Sequence, residues 1–285
     1  MGAQRGVALV LVMWLVVLLT GLVGAYALSA RIEHMQGRTL SRAVVAEEAA
    51  RAGLEYAMTR LDDPDPRQQW IPDGRTWRWR FGDAGVEVRI VDESAKVDLN
   101  SADMPLLASL FRVLDPEAGG DADAVAAAIV DWRDPDTLTQ AAGGAEDGQY
   151  ASAGRPYGAK DAPFETIGEV EQVLGMTPAL YALAAPHLTV YSGQASPDQR
   201  YASAEVLQAL GVDPGAILAQ RELDPGATPG AGLVGGGSGT YSVDSRARLP
   251  DGRSAVLRAV VRAGASGVPG TAYVPLRWEQ GATPR

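Results

Sequence analysis

From Val7 to Ala30 the chain reads VALVLVMWLVVLLTGLVGAYALSA, and no residue in that run is charged. As a helix rising about 1.5 Å per residue, it is long enough to cross a hydrocarbon core of about 30 Å. A cleaved secretory signal would have a shorter apolar core and a richer basic region; here only Arg5 is basic ahead of the run. Ala27 to Ala30 form a loose small-x-small site, but the helical pattern continues past it. Ile32, Met35, Leu40, Val44, Leu54, Met58 and Leu61 recur at spacings of three, four or their sums, with charges between them. The pattern stops at DDPDP (62–66), where two prolines forbid continuation. The spacing predicts one helix from Val7 to Leu61, about 80 Å long. Its first half is expected in lipid and its second half packed on a domain. The short stretch before it can hold no folded domain, so the globular part is expected across the membrane.

The chain has 285 residues, a net charge of −10 and no cysteine. The acidic balance argues against nucleic acid as partner and is compatible with a cation or a basic partner. Disulfides and thiolate metal sites are excluded. Histidine chemistry has only His34 and His187 to work with. His34 falls just outside the apolar run, and His187 has no evident Ser, Cys or Asp set nearby. No phosphate loop, zinc spacing or nucleophile elbow is present, so the reading is a non-enzyme.

After the prolines, TWRWRF (76–81) and VEVRIVDE (86–93) alternate apolar and charged residues around a GDAG turn, as strands with one wet face do. A helix follows in 96–111, capped by Asn100 or Ser101, then a second in 121–134 with Asp121 or Asp123 at its positive end. A long loop leads to a third helix in FETIGEVEQVLG and a short fourth in MTPALYALAAPHLTVYS. SADMPLLASL (101–110) is echoed by SAEVLQAL (203–210), which suggests paired helical hairpins. The stretch 224–239 is a Gly-rich spacer. TYSVDSRARL, PDGR and SAVLRAVVRAG make a hairpin, and TAYVPLRWE (271–279) adds a strand. The expected division is a leader at 1–6, the helix at 7–61, a first β part at 62–95, an inserted helical domain at 96–224 and a C-terminal β part at 225–285. Trp70, Trp77 and Trp79 are read as covering the sheet. VLGMTP (173–178) is similar to a helix-hairpin-helix turn, but its acidic surroundings favour a packing role.

Asp131, Asp134 and Asp136 lie within six residues, and Glu146 and Asp147 return ten residues later. Oxygen donors on a loop suit Ca²⁺, which takes six to eight of them, although the EF-hand spacing is absent. A solvated acidic loop, with Asp134 ending a helix, is the other reading of the same residues.

RG followed directly by VALVLVMWLVVLL resembles the prepilin-peptidase junction of type IV pilin-like proteins. The resemblance implies cutting after Gly6, with Val7 as the new and often methylated N-terminus. The fifth mature residue in such proteins is usually glutamate, which pairs with a neighbour's amine; here it is Leu11. A buried acid in lipid costs about 2.5–3.5 kcal/mol without a partner. A subunit lacking the acid suits the tip of a filament. An ordinary signal anchor is the alternative.

The order of the pieces DESAKVDLNSA (92–102), AIVDWRDPD (128–136), GAEDGQY (144–150) and the stretch 163–193 resembles the protein K family, the large minor pseudopilins of type II secretion systems. One departure is Arg200-Tyr201, where that family more often has an asparagine before its small-residue pair. The resemblance implies an α+β, type IV pilin-like fold, a long N-terminal helix on a small antiparallel sheet, with a large inserted helical domain. It also implies Ca²⁺ in the insertion, with Asp131, Asp134, Asp136, Glu146 and Asp147 as carried-over ligands. The implied partners are the minor pseudopilins I and J, the major pseudopilin, the prepilin peptidase and the inner-membrane secretion platform. The implied location is the bacterial inner membrane, with the C-terminal domain in the periplasm and a role in exporting folded proteins. Rival readings are a membrane-anchored Ca²⁺-binding module or hydrolase, and a minor pilin of a type IV pilus or competence system.

Overall fold

The computed structural model describes residues 5–65, 67–117, 121–223, 237–264 and 273–281, with the side chains of all of these except 5–8, 29–41 and 223. One helix, α1 (Arg5–Leu61), forms the rod. Its described apolar span, Leu9–Leu28, is not buried against any other described residue. From Ala46 onward one face is buried, through Ala49, Ala50, Leu54, Ala57, Met58 and Leu61, at the helical repeat. Small residues on that face let the helix lie close on the sheet. A Cβ at Gly53 would sit 2.2 Å from Ser245 Oγ and 2.8 Å from a Val86 methyl. Past the helix end, Trp70 N–H donates to Arg60 O at 3.0 Å, folding the chain back.

Strands β1 (Asp73–Phe81) and β2 (Ala84–Asp92) form the first hairpin. The chain then leaves the sheet for a helical block. In order this holds β3 (Val97–Asp98), α2 (Met104–Leu114), α3 (Asp121–Arg133), α4 (Asp147–Ser152), α5 (Pro178–Ala184), β4 (Leu188–Thr189), α6 (Ala204–Ala209) and α7 (Pro214–Leu223). It returns as β5 (Thr240–Arg248), β6 (Ser254–Ala263) and β7 (Tyr273–Gln280). The sheet is antiparallel throughout, in the order β1-β2-β5-β6-β7. Val86, Val88, Ile90, Val243, Leu257 and Val261 point at α1 and make one core. Trp77 stacks on Trp70 (5.1 Å) and Trp79 on Tyr56 (4.2 Å), so these tryptophans cover the sheet edge. The helical block has a separate core around Leu107, Phe111, Ile129, Trp132, Tyr150 and Leu207.

The block joins the sheet through a narrow neck. Asp92 pairs with Tyr241 across β2 and β5, so the chain departs and returns at one point. Asp92, fully buried, accepts from Ser94 N–H (2.8 Å) on the outgoing side and Ser238 N–H (2.8 Å) on the returning side. Glu93, also fully buried, meets Lys96 Nζ at 2.5 Å and accepts from the hydroxyls of Thr189 and Ser242. Asp98 takes Ser192 and Gly193 N–H, and Asn100 exchanges two bonds with the Phe164 backbone at 2.7 and 2.9 Å. The neck lies at the far end of the rod from the apolar span, since Pro72 O, two residues past Trp70, accepts from Asp92 N–H.

Several local expectations change. The cap of α2 is Asp103, which accepts from Leu106 N–H at 2.9 Å; Asn100 is committed to Phe164 instead of capping. The third helix is a 3₁₀ segment, Ile167–Gln172, closed by Thr166 and Glu169. The long loop contains α4. Gly175 in VLGMTP has φ +89° and lies against Val125, which is the packing role expected of that turn. Asp103 and Ser203 cap the two echoed helices α2 and α6.

Removing the Glu93 carboxylate leaves Lys96 buried without its counter-charge. Glu93→Ala is expected to destabilise the full chain in detergent by about 3–5 kcal/mol, read from urea unfolding followed by tryptophan fluorescence.

Candidate functional site

The acidic loop begins where α3 ends. Arg133, its last residue, forks onto the carbonyls of Leu99 and Ala102, the latter at 2.6 Å, so among the described residues its hydrogen bonds go to backbone and not to the loop acids. The next residue, Asp134, comes together with Asp136 and Glu146, one oxygen of each within 4.8 Å of the others. Glu146 is buried at 7% exposure. Its Oε1, and Oδ1 of Asp134, are buried with no hydrogen-bond partner. Burial, then the charges of Asp131, Asp161, Asp134 and Asp136, push the Glu146 carboxyl up to about 7. Burial, then Asp136, raises Asp134 as well. Three mutually repelling carboxylates, two of them with an orphaned buried oxygen, call for a positive charge among them. A hard cation bound through oxygen would supply it. That donor set fits Ca²⁺ chemistry.

The other two expected ligands are not among these three, although the Asp131 charge is felt at Glu146. Asp131 is fully buried and accepts Gln140 N–H at 3.2 Å through each carboxylate oxygen, so it shapes the loop from behind. Its carboxylate occupies the space a side chain at Gly144 would need, 2.0 Å from an ideal Cβ. Asp147 opens α4 and presses its carboxylate on Gly158, 1.7 Å from an ideal Cβ there. Asp161, with φ +53°, is a nearby acid the loop spacing did not single out.

At the N-terminal end, Gly6 and Val7 lie within α1, and their side chains fall outside the described set. Leu11 is 65% exposed among other exposed apolar residues. His34 also falls outside the described side chains. His187, read as having no catalytic set around it, has Ser203 Oγ 3.0 Å from its Nδ1. That serine is the cap of α6, and burial lowers the imidazole's proton affinity. The pair closes the seam between α6 and the turn before β4. The 16-residue separation hid it from sequence reading.

A long apolar helix laid on an antiparallel sheet, carrying a helical block between two neighbouring strands, is the fold of a pilin-like protein. Residues 88–193 match the family model for type II secretion system (T2SS) protein K. That span holds the outgoing side of the neck and the acidic loop. Over 207 residues the chain is 30% identical to type II secretion system protein K of Klebsiella pneumoniae, covering 65% of this chain. Over the same length it is 28% identical to the putative type II secretion system protein K of Escherichia coli K12, covering 66% of this chain. The alignment spans 62% of the length of each relative. A chain from the crystal structure of the GspK-GspI-GspJ complex of enterotoxigenic Escherichia coli superposes with TM-score 0.61 at 17% identity, over 88% of this chain and all of that one. The α+β pilin-like fold with its helical insertion is thus as the sequence implied.

Because Asp131 fills the place of a Gly144 side chain, even one methyl there displaces the carboxylate that holds the loop. Gly144→Ala is expected to cost about 1–3 kcal/mol in urea unfolding, with loss of protection at the Gln140 amide in hydrogen exchange.

Proposed function

We propose that the chain is a minor pseudopilin of a type II secretion system, working as a non-enzymatic assembly subunit at the tip of the periplasmic pseudopilus. In this role it joins the minor pseudopilins I and J and promotes export of folded proteins. The observation that carries this reading is the position of the helical block. It stands at the end of the rod opposite the apolar span, where it would obstruct another subunit stacked above. Leu11 points the same way, since a subunit without an acid there has no charge to offer the amine of a subunit above it. The apolar span anchors the chain in the inner membrane, with the remainder in the periplasm. The prepilin peptidase removes Met1–Gly6, and Val7 is then methylated. The major pseudopilin packs below, and the inner-membrane platform drives assembly.

Ca²⁺ belongs to this reading as a structural ion. Asp134, Asp136 and Glu146 would hold it, and it would neutralise their repulsion and pin the loop between α3 and α4. No reaction step passes through it. Its contribution is the stability of the helical block.

Two measurements test these proposals. Mass spectrometry of the chain expressed with its peptidase should find methyl-Val7 as the first residue, and Gly6→Leu should leave the leader attached. A Gly6→Leu product of mature length would contradict the pilin-like reading. Separately, millimolar Ca²⁺ should raise the melting temperature of the detergent-solubilised chain at pH 7.5 by on the order of 5 °C. The rise should shrink at pH 5.5, because Glu146, with its carboxyl near 7, then keeps a proton that competes with the ion. Glu146→Gln should abolish it; an equal rise in that variant would remove these residues from the role.

A further inference from the structure

The face of the sheet turned away from α1 carries a set of arginines that neither the rod nor the acidic loop uses. Strand pairing sets Arg80 opposite Gly85, and Gly85 opposite Arg248. In the next row of the same face, Arg78 and Arg246 flank Glu87. Arg80 and Arg248 are exposed, and Arg246 is half-buried. Arg78 forms an ion pair with Glu87 at 2.9 Å. Among the described residues, Arg80, Arg246 and Arg248 have no hydrogen bond or ion pair. Adjacent strands lie about 4.8 Å apart, so Arg80 and Arg248 stand about 10 Å apart across a glycine. A Cβ on Gly85 would meet nothing within 4 Å. The result is an open notch with an arginine on either side. Four guanidinium groups share one carboxylate, on a chain whose net charge is −10. Arg80 and Arg248 each face Gly85 on β2, so neither has an opposite charge across the strand from it, and Glu87 in the next row is committed to Arg78.

We propose that this arginine corner is a docking surface for a carboxylate-rich segment of a partner protein, with an Asp or Glu side chain seated in the Gly85 notch between Arg80 and Arg248. All four cations are arginine, whose planar fork meets a carboxylate through two hydrogen bonds at once. β1 is an edge strand, so an extended acidic segment has room beside Arg78 and Arg80. A lipid headgroup is a poor occupant. The sheet begins to bury α1 at Ala46, 18 residues past the apolar span's end at Leu28, or about 27 Å of helix. The field of an anionic membrane is screened within about 8 Å at physiological salt. Nucleic acid fits poorly too, because the strongly acidic remainder of the chain repels a long polyanion. The proposal is independent of the pseudopilus reading.

The test uses the full chain in detergent and a fluorescein-labelled decaglutamate peptide, followed by anisotropy. Wild type should bind, more weakly as salt rises. Arg80→Glu with Arg248→Glu should weaken binding about tenfold or more. Gly85→Glu should weaken it similarly by filling the notch with the protein's own carboxylate, with an unchanged melting temperature. Arg80→Lys with Arg248→Lys keeps the charge and should lose several-fold through loss of the fork. That variant decides the matter if the double reversal fails to fold. The proposal is overturned if wild type does not bind the peptide or if these variants bind as wild type does. It is equally overturned if phosphatidylglycerol vesicles or a single-stranded 20-mer DNA bind through the same arginines more tightly than decaglutamate.

Discussion

Two adjacent acids at the end of β2 hold the molecule's halves together. Asp92 clasps the outgoing and returning chain, and Glu93 reaches Lys96, Thr189 and Ser242, which belong to the neck, the helical block and the sheet. Burying two carboxylates is costly, and the cost is offset because every described bond to them comes from a nearby amide, hydroxyl or ammonium group. The arrangement also solves a topological problem. β2 and β5 are neighbours, so the sheet closes over the excursion and needs no strand from the helical block. Each half then keeps its own core, and the neck sets how one stands on the other.

The same economy shapes DESAKVDLNSA as a piece of sequence. Asp92, Glu93, Ser94, Lys96, Asp98 and Asn100 are polar residues in a stretch that reads as a surface loop, yet nearly all are buried. Their partners lie up to 149 residues away, at Ser242. A sequence pattern records local periodicity, and these bonds have none, so the motif could be matched to a family but not explained. The rod was legible for the opposite reason. An uncharged run followed by apolar residues at helical spacing leaves little choice of structure. The strands were legible through their alternation, Trp77 and Trp79 inward, Arg78 and Arg80 outward.

What the sequence hid is instructive at three places. Asn100, Ser101 and Asp103 are all competent helix caps, and the long-range claim of Phe164 on Asn100 leaves the capping to Asp103. The five acids of the loop look equivalent in one dimension; burial and backbone contacts separate Asp131 from Asp134, Asp136 and Glu146. The arginines at 78, 80, 246 and 248 sit in ordinary alternating strands. Their convergence depends on β5 pairing with β2 across an insertion of well over a hundred residues, which no local pattern reveals.

The rod itself is unfinished in isolation. The span Leu9–Leu28 is exposed, and beyond it Val44 and Val45 remain 54% and 46% exposed while Ala46, Ala49 and Ala50 are buried against the sheet. Exposed apolar surface costs about 25 cal/mol per Å²; in the proposed role, lipid covers the first stretch and other apolar helices cover the rod beyond it. The opposite end has no such need. There α1 stops at Leu61, the chain folds back through Trp70, and the helical block stands beyond the neck. In the proposed pseudopilus, a subunit apolar along its flank and closed at its far end accepts neighbours beside and beneath it. On that proposal its place in the stack depends on the neck, because the bonds of Asp92 and Glu93 hold the block where it stands relative to the rod.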